Sequence, residues 1–478
     1  LLDSTRICKY NGSFTPNAKA SEWMEENIPL FECPQRNFEE MYYYRWWSLR
    51  KHIKETPVGY GMTEFLVQRS YSDKYNLIAC AIGHHIYESR WLRDPKYLDQ
   101  IIHTWYRGND GGPMNKMNKF SSWNADAVLA RYMVDADKDF MLDMKENLEA
   151  EYQRWECTNR LQNGLYWQGD VQDGMEESIS GGRKKKYARP TINSYMYGNA
   201  KALSLMGILS DDEGMAMRYG MRADTLKRLV KDKLWNSRHQ FFETMRADSS
   251  ANVREAIGYI PWYFNLPDTV KQYEVAWKEI MDENGFSAPY GLTTAERRHP
   301  EFRTHGVGKC EWDGAIWPFA SAQTLTAMAN FMNNYPQTVL SDSVYFRQME
   351  LYVESQYHRG RPYIGEYLDE VTGYWLKGDQ ERSRYYNHST FNDLMITGLI
   401  GLRPRLDDTV EVNPLIPADK WDWFCLDNVL YHGRNLTILW DKYGDRYHRG
   451  KGLRIFVDGK QVGYADRLTR IICENVLK

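Results

Sequence analysis

The stretch SYMYGNAKALSLMGILSDDEGMAMRYGMRADTLKRLVKDKL, residues 194–234, carries two helical segments, Ser194 to Leu209 and Asp212 to Leu234, with two residues between them. Apolar side chains recur at three- and four-residue spacing through both segments, as they do on one face of an α-helix. The same spacing dominates the chain up to about residue 400 and predicts further helices over Phe38 to Lys54, Asn76 to Trp91, Pro95 to Tyr106, Ala125 to Tyr132, Lys138 to Trp155, Thr269 to Met281, Gly314 to Met332, Ser341 to Gln356 and Ser389 to Leu402. Eleven or twelve helices in series favour a toroid of helical hairpins over a long solenoid, because a solenoid would have a fixed repeat period.

The sequence pattern changes after Pro404. Alternating or β-branched residues predict short strands over Thr409 to Asn413, Asn435 to Trp440, Leu453 to Val457 and Gln461 to Tyr464. Asp458-Gly459 is typical of a tight hairpin turn between the last two strands. We therefore expect an N-terminal extension over 1–35 that packs on the barrel, a helical barrel domain over 36–402 and a small antiparallel, β-sandwich-like module over 403–478.

Composition and charge narrow the classes of function. Aromatic residues make up 14% of the 478 residues, with 17 Trp and 34 Tyr, which indicates an aromatic cleft as well as an aromatic-rich core. The formal net charge is −3 and no long block of like charge occurs, so a nucleic-acid partner is disfavoured. No apolar run approaches the roughly 18–20 residues that a membrane span needs.

The cysteines and histidines give no sign of a metal site or a cofactor. The seven cysteines are scattered without a paired short spacing, and the eleven histidines lack the spacing of zinc ligands. We expect no metal and no cofactor, and a monomer or weak oligomer. The chain begins Leu1-Leu2-Asp3 without an initiator Met, so we also expect an extracellular or periplasmic protein whose signal peptide has been removed.

Three segments carry the chemistry. They are Gly169–Ser178 (GDVQDGMEES), Cys310–Phe319 (CEWDGAIWPF) and Gly365–Trp375 (GEYLDEVTGYW). A pair of carboxyl groups framed by Trp and Tyr suits cleavage of a glycosidic bond: one carboxyl protonates the leaving oxygen, the other activates water or attacks, and aromatic faces hold the sugar. The pattern predicts a glycoside hydrolase acting on an oligosaccharide or glycoside, with all three segments on loops at one end of the helical domain.

The acids of the first and last segments differ in context. The first segment holds Asp170, Asp173, Glu176 and Glu177. Crowded like charges and apolar walls would raise the pKa of one of these acids enough to keep it protonated as a general acid, although solvated loop acids are the alternative. Glu366 lies in an extended aromatic stretch before the turn at 369–373, so it is the best candidate for an inward-facing base.

Other polar and aromatic residues are candidates for contacts with the sugar. They are Trp123, Asp126, Tyr195, Tyr197, Trp312, Asp313, Trp317, Tyr386 and His388. The segment around Trp312 and Trp317 is too aromatic for an exposed loop and too polar for a pure core. We expect both residues, with Tyr197, to be partly exposed in one cleft. Asp126 could equally cap or brace a helix.

Three motifs, in order, resemble glycoside hydrolase family 63 and its mannosylglycerate-hydrolase-like relatives. Gln172–Ser178 (QDGMEES) resembles the family's Glu-Ser-Gly-x-Asp-Asp signature, and Trp312–Trp317 (WDGAIW) resembles its Trp-Arg-Gly-Pro-x-Trp segment. Glu366–Gly373 (EYLDEVTG) resembles the stretch around the family's late Glu. The resemblance covers roughly residues 36 to 415 and the β module behind them.

The resemblance implies an (α/α)6 barrel and an inverting mechanism. It implies that Glu176 is the general acid, with Asp173 as a rival, and that Glu366 is the general base. This chain has Glu where the family has Asp as the acid, which alters the depth of the site, so neither glucose nor mannose specificity is carried over. The expected protein is a metal-independent, exo-acting glycosidase whose catalytic domain is 36–402.

The residues alone are also compatible with two other classes of protein. A polysaccharide lyase or sugar epimerase on the same toroid would use His388 with Tyr385 and Tyr386 to abstract a proton beside a uronate. A non-catalytic carbohydrate-binding protein would keep the cleft without turnover.

Overall fold

The computed structural model describes residues 15–478, and helices form most of its regular structure. The helices are α1 (Ala20–Asn27), α2 (Arg36–His52), α3 (Ile82–Ser89), α4 (Lys96–Arg107), α5 (Asn124–Asp135), α6 (Lys138–Asp143), α7 (Lys145–Asn159), α8 (Pro190–Leu209), α9 (Glu213–Leu234), α10 (Ile260–Tyr263), α11 (Lys271–Glu274), α12 (Pro318–Asn334), α13 (Asp342–Glu354) and α14 (Asn392–Leu394). A 3-10 turn over Ala256–Tyr259 precedes α10, a second over Val275–Ile280 follows α11, and α14 continues as a π-turn over Met395–Leu399.

The strands are short before residue 400 and longer after it. They are β1 (Leu30–Glu32), β2 (Ile53–Thr56), β3 (Gly59–Met62), β4 (Trp235–Asn236), β5 (Phe241–Phe242), β6 (Met245–Arg246), β7 (Ser249–Ser250), β8 (Ser287–Ala288), β9 (Gly291–Leu292), β10 (Tyr357–His358), β11 (Arg361–Pro362), β12 (Val410–Val412), β13 (Trp423–Tyr431), β14 (Arg434–Asp441), β15 (Gly452–Val457), β16 (Lys460–Ala465) and β17 (Ile471–Cys473). The pairs from β2/β3 to β10/β11 are small hairpins on the loops between helices.

Alternate helices differ in burial. In α8, 15 of 20 residues are buried, whereas in the following helix, α9, only 7 of 22 are. Pro190 and Pro318 occupy the first positions of α8 and α12, where a missing N–H costs nothing. Asp212 begins α9 as an N-cap, since its side chain accepts the N–H of Met215 at 2.9 Å. The sequence therefore alternates inner helices, apolar on most faces, with outer helices that keep one polar face.

The inner helices contact one another in chain order. The helix α3 packs on α5, α5 on α8, α8 on α10, α10 on α12 and α12 on α14, and α14 in turn contacts α3. Outer helices α13 and α2 also touch. The first and last inner helices, α3 and α14, are thus neighbours, although some 300 residues separate them.

A buried polar cluster joins α3 to α14. The Glu88 carboxylate accepts the backbone N–H groups of residues 391, 392 and 393 at 2.8–3.2 Å, which satisfies the free donors at the start of α14. Arg90 pairs with Asp393 at 2.8 Å, with side-chain exposures of 4% and 1%. Trp91 donates its indole N–H to the same carboxylate at 2.7 Å.

The C-terminal module is an antiparallel sheet in the order β1-β13-β14-β15-β16, with β12 paired to β17 beside it. Asp458 and Gly459 join β15 to β16 with φ of 48° and 78°, the positive values that a tight hairpin turn of this kind needs. Strand β1 pairs Phe31 with Leu426, so part of the predicted N-terminal extension completes this sheet. Helix α1 of that extension contacts α2, and residues 1–14 lie outside the described residues.

The prediction of a mainly helical chain with a C-terminal β module is confirmed. The longest strand, β13, was not predicted, because a bulge between Leu426 and Val429 interrupts its alternation and Asn428 adopts φ of 60° there. Across residues 15–478 no helix combines the length and apolar character that a bilayer crossing requires.

Replacing Asp393 with Ala should lower the free energy of unfolding by about 3–5 kcal/mol, because Arg90 would stay buried without its partner. Denaturant unfolding followed by circular dichroism measures the change. Asp232→Ala is the matched control: its carboxylate lies 3.8 Å from Arg228 on exposed α9, and its loss should leave the midpoint nearly unchanged. Equal effects of the two substitutions would contradict a special role for the Arg90–Asp393 pair.

Candidate active site

The three chemical segments meet at one end of the helical domain. Lys309 connects them: its ammonium lies 3.7 Å from Glu177, and its carbonyl oxygen accepts the Tyr367 hydroxyl at 2.6 Å. Glu176 and Glu366 immediately precede Glu177 and Tyr367, the residues that make these two contacts. The charges of both carboxyls also act on Glu64, so the structure brings the two candidate catalytic carboxyls near one another.

Glu176 has the electrostatic environment of a proton donor. Glu176 is only partly exposed, and burial raises the pKa of its carboxyl to about 7. The charges of Asp170 and Asp173 raise the pKa further, while Arg183 lowers it. A carboxyl with this pKa holds its proton in a large fraction of molecules near neutral pH, as a general acid must.

Asp173 has a different environment from Glu176. One oxygen, Oδ2, accepts hydrogen bonds from Arg189 Nε at 2.8 Å, Thr191 Oγ1 at 2.7 Å and Gln168 Nε2 at 2.9 Å. The side chains of Asp173 and Arg189 are both fully buried. A carboxylate anchored by a guanidinium and two further donors is suited to fixing the loop that carries Glu176, and it is poorly placed to deliver a proton.

The Arg189 guanidinium extends this buried network. It donates to Ser180 Oγ at 3.2 Å, and Ser180 in turn hydrogen-bonds to Glu255 and, at 2.8 Å, to Thr244. Because Arg189 immediately precedes α8, the network ties the Glu176 loop to the start of an inner helix.

Glu366 lies among cations. Its side chain is 6% exposed, with Arg382 at 3.3 Å and Lys377 at 3.7 Å from Oε2. Its backbone N–H donates to Ser383 Oγ at 3.2 Å, which fixes the main chain at this point. Two adjacent cations stabilise the negative charge that a general base carries before it accepts a proton.

A third carboxyl, Glu64, belongs to the same site and was not predicted. Glu64 is 3% exposed, and it accepts the Tyr386 hydroxyl at 2.6 Å and the Cys80 thiol at 3.1 Å. Burial raises the pKa of Glu64 to about 7, and the charges of Glu366 and Glu176 add to this rise. The sequence signal is weak because Glu64 follows β3 without a neighbouring acid.

Trp312, Trp317 and Tyr367 form a continuous aromatic stack. Trp312 and Trp317 lie 4.4 Å apart at 18°, and Trp317 and Tyr367 lie 4.7 Å apart at 20°. Both tryptophans are only 3% exposed, so the expectation of partial exposure is wrong for them. Within residues 15–478 neither indole N–H has a hydrogen-bond partner, which leaves two buried donors available at the site.

His388 and Tyr386 lie beside this stack. His388 packs against Tyr386, Trp317 and Phe319, and in the described part of the chain neither of its ring nitrogens has a partner. Burial holds the pKa of His388 well below its usual range, so the ring is neutral. Both predicted contact residues are therefore at the site.

Trp123 and Tyr195 form a layer beneath the site. Trp123 is fully buried and contacts Tyr195 at 4.9 Å, Tyr263 at 5.5 Å and Phe319 at 6.4 Å between ring centres. The Tyr195 hydroxyl accepts a hydrogen bond from Gln323 at 2.7 Å. This aromatic layer crosses the inside of the helical domain, from α5 through α8 and α10 to α12.

Tyr197 and Asp126 do not lie with the other candidates, and their prediction as site residues is corrected here. Tyr197 follows Tyr195 by two residues, or about 200° around α8, so it faces away. The charges of Asp224 and Asp268 act on Tyr197, which is 4% exposed and not part of a cleft. Asp126 accepts the Tyr87 hydroxyl at 2.7 Å on the far side of the aromatic layer.

Asp313 braces a loop. Its Oδ2 accepts the backbone N–H groups of His305 at 3.0 Å and Gly306 at 2.8 Å, and the residue is fully buried. These bonds shape the 302–313 loop, while within residues 15–478 the buried Oδ1 has no hydrogen-bond partner, so the prediction of Asp313 as a sugar contact stays a prediction.

Three non-glycine residues with left-handed backbone surround the site. Glu177, Glu311 and Tyr385 have φ of 67°, 51° and 60°, and each adjoins a residue of the site. Such backbone costs roughly 1–2 kcal/mol per residue, a strain that is typical of functional sites.

Comparison with known proteins identifies the family. Residues 74–389 match the model of the mannosylglycerate hydrolase MGH1-like glycoside hydrolase domain. The chain belongs to this family of glycosidases. Residues 402–463 match the C-terminal domain of glycosyl hydrolase family 65, which corresponds to most of the β module.

Several solved structures are similar to this chain. A structure named sialidase is 90% identical, with a TM-score of 0.97; the match covers 99% of this chain but only 43% of that one. The family 63 mannosylglycerate hydrolase of Thermus thermophilus, solved with glucose, is 13% identical over 74% of this chain and 99% of that one, with a TM-score of 0.54. A family 78 rhamnosidase of Bacillus sp. GL1 is 9% identical over 86% of this chain and 40% of that one, with a TM-score of 0.60. The last two similarities concern the fold alone.

Proposed function

We propose that the chain is an exo-acting, inverting glycosidase in which Glu176 is the general acid and Glu366 is the general base. The observation that carries the proposal is the contrast between two carboxyls at one site. Burial raises the pKa of Glu176 to about 7, whereas Glu366 lies beside Arg382 and Lys377. When two carboxyls of one site lie in opposite electrostatic environments, the one whose pKa is raised is assigned as the acid and the other as the base.

The proposed architecture is an (α/α)6 toroid. The six inner helices contact one another in order and α14 contacts α3, which supports closure. The catalytic domain then spans 36–402, and the loops that precede inner helices build the site. The C-terminal module braces the helices without supplying a carboxyl to the site.

The reaction needs no group beyond these carboxyls and water. Glu176 transfers its proton to the glycosidic oxygen as the bond from that oxygen to the anomeric carbon breaks. Glu366 takes a proton from a water molecule, whose oxygen attacks the anomeric carbon from the opposite face. Room for that water requires carboxyl groups roughly 6.5–9.5 Å apart.

The aromatic layer supports exo action. Trp123, Tyr195 and Phe319 close the inside of the helical domain beneath the site and give a bound sugar a floor. In the proposed exo-acting enzyme this floor would receive the terminal sugar of a glycan. The Trp312–Trp317–Tyr367 stack would form the wall of the site, and Glu64 would accept hydroxyl groups of the bound sugar.

A sialoside is the second candidate substrate. The 90% identical structure bears the name sialidase, although its chain is more than twice as long. Arg183 and Lys309 lie 3.3 and 3.7 Å from Glu177, next to Glu176, and supply two cations for a sugar carboxylate. A panel of aryl glycosides, sialosides, and plant and host glycans separates the candidates, and an unsaturated product absorbing in the ultraviolet would indicate a lyase instead.

We also propose that the enzyme works outside the cytoplasm, where polymeric glycans occur. Fractionation of the source cells, followed by immunodetection, tests this location; recovery in the cytoplasmic fraction would contradict it.

Replacing Glu176 with Gln should reduce hydrolysis of glycosides with poor leaving groups by roughly 10²–10⁴-fold, because the amide keeps the shape but cannot donate a proton. Activated aryl glycosides need little protonation and should be affected far less. Glu366→Gln should suppress both substrate types, since each requires an activated water. Initial rates on a matched pair of substrates measure the difference.

Two controls accompany these variants. Glu177→Gln alters the neighbouring carboxyl, which pairs with Arg183 at 3.3 Å, and should leave the rate nearly unchanged. Asp173→Asn should lose activity together with stability, because Arg189 is left buried without its partner. An inactive Asp173→Asn with wild-type melting, beside a fully active Glu176→Gln, would mean that Asp173 is the acid.

Glu64→Gln should raise KM by about tenfold, because it removes one charge-assisted hydrogen bond, which contributes at least about 1.4 kcal/mol. The change in kcat should be smaller. Cys80→Ala, which removes only the thiol donor at 3.1 Å, is the control and should change KM less. Steady-state kinetics and melting curves are the measurements. A lower melting temperature with an unchanged KM would return Glu64 to a structural role.

A further inference from the structure

A cavity of about 540 Å³ lies on the far side of the aromatic layer from Glu176. All six inner helices line it, through Tyr87, Asp126, Lys201, Tyr263, Asn330 and Asp393. Lys201 is 11 residues beyond Pro190 on α8, and so about 16 Å along the helix from the start of the catalytic loop network. We call this space the axial cavity. Its volume suits a molecule the size of a mono- or disaccharide.

The C-terminal module forms the rim of the axial cavity. Arg403, Arg405 and Arg470 reach it from residues that follow the helical domain. The cavity therefore lies at the boundary between the two parts of the chain, where a bound molecule would contact both. Ligand sites are common at such boundaries.

Most cations of the axial cavity are neutralised. Arg90 pairs with Asp393 at 2.8 Å, and Arg405 and Arg470 share Glu411 at 2.9 and 2.5 Å. These pairs account for three of the five cations and two of the three carboxylates that line the cavity. The remaining carboxylate, Asp126, accepts the Tyr87 hydroxyl.

Lys201 and Arg403 lack such partners. The ion pairs formed among residues 15–478 include neither cation, so no carboxylate oxygen lies within 4 Å of Lys201 or Arg403. Arg403 donates only to neutral acceptors, Asn330 Oδ1 at 2.7 Å and the Thr397 carbonyl at 3.3 Å. The Lys201 ammonium lies 5.5 Å from the Tyr197 ring. Burial lowers the pKa of Arg403 and, although Lys201 is exposed at one side, the pKa of the Lys201 ammonium as well. The charges of Asp126 on Lys201, and of Glu411 and Asp393 on Arg403, act in the opposite direction, and a bound anion would add to them.

We propose that the axial cavity binds a small molecule bearing a carboxylate or a phosphate, with Lys201 and Arg403 as its cationic ligands. The two cations supply charge-assisted hydrogen bonds to the anion, and Arg403 presents a planar fork that suits either group. The Asn330 amide and the Tyr87 and Tyr263 rings, 5.6 Å apart, provide polar and aromatic surface for the rest of the molecule. This site is separate from the carboxyls of the proposed reaction and does not depend on them.

Isothermal titration calorimetry on the full chain tests the proposal with three probes: glucuronate, inorganic phosphate and neutral glucose. We expect glucuronate or phosphate to bind and glucose not to bind at this site. Lys201→Gln should weaken the anion by roughly tenfold or more, as expected for loss of a hydrogen bond to a charged group. Part of the Lys201 surface is exposed to solvent, so this variant should fold normally.

Two variants locate the binding event. Lys96→Gln removes a lysine of α4 that pairs with Asp94 at 2.8 Å, and it should leave the affinity unchanged. Glu176→Gln should also leave it unchanged, because the catalytic site lies beyond the aromatic layer. If only phosphate binds, the natural ligand of the cavity carries a phosphate. If only glucuronate binds, the natural ligand is an acidic sugar. The proposal is overturned if neither anion binds at millimolar concentration, or if Lys201→Gln binds as tightly as the wild type.

Discussion

The contact between α3 and α14 is the constraint on which the site depends. Loops that carry residues 176, 310 and 366 can converge only if the first and last inner helices meet, and the chain makes that contact with buried polar groups. Glu88 caps the start of α14 through three backbone N–H groups, and Arg90 pairs with Asp393. Unlike apolar packing, which tolerates sliding, these bonds fix the register of the two helices. The same Arg90–Asp393 pair lines the axial cavity, so the contact between α3 and α14 and the proposed anion site share this ion pair.

Above the aromatic layer, the carboxyls of the site lie in different environments. Asp173 pairs with the buried Arg189, whereas burial raises the pKa of Glu176 and of Glu64 to about 7. Glu366 is flanked by Lys377 and Arg382 instead. Membership of the mannosylglycerate hydrolase MGH1-like family agrees with carboxyl chemistry on a glycosidic bond. Strained backbone at Glu177 beside this acid is consistent with a loop shaped for function rather than for stability.

The sequence predicted the longer helices of the domain because they depend on local pattern, but it did not predict α1 or the short inner helix α10. It failed where a position depends on the tertiary fold. Tyr197 resembled Tyr195 in the sequence, yet one step of about 200° placed it on another face of α8. Asp126 follows Trp123 closely in the sequence but lies below the aromatic layer. Glu64 had no motif at all: only the fold brings it to Tyr386, 322 residues away in the chain. Strand β13 was hidden by its bulge.

The stereochemistry of the first-formed product tests the central claim most directly. Proton NMR, recorded within the first minutes of hydrolysis and before mutarotation, distinguishes the two anomers of the released sugar. If Glu366 activates water while Glu176 protonates the leaving oxygen, the new hemiacetal must have the configuration opposite to that of the substrate. A product that retains the configuration of the substrate would mean that a carboxyl had attacked the anomeric carbon itself, and the roles assigned to the two residues would be wrong.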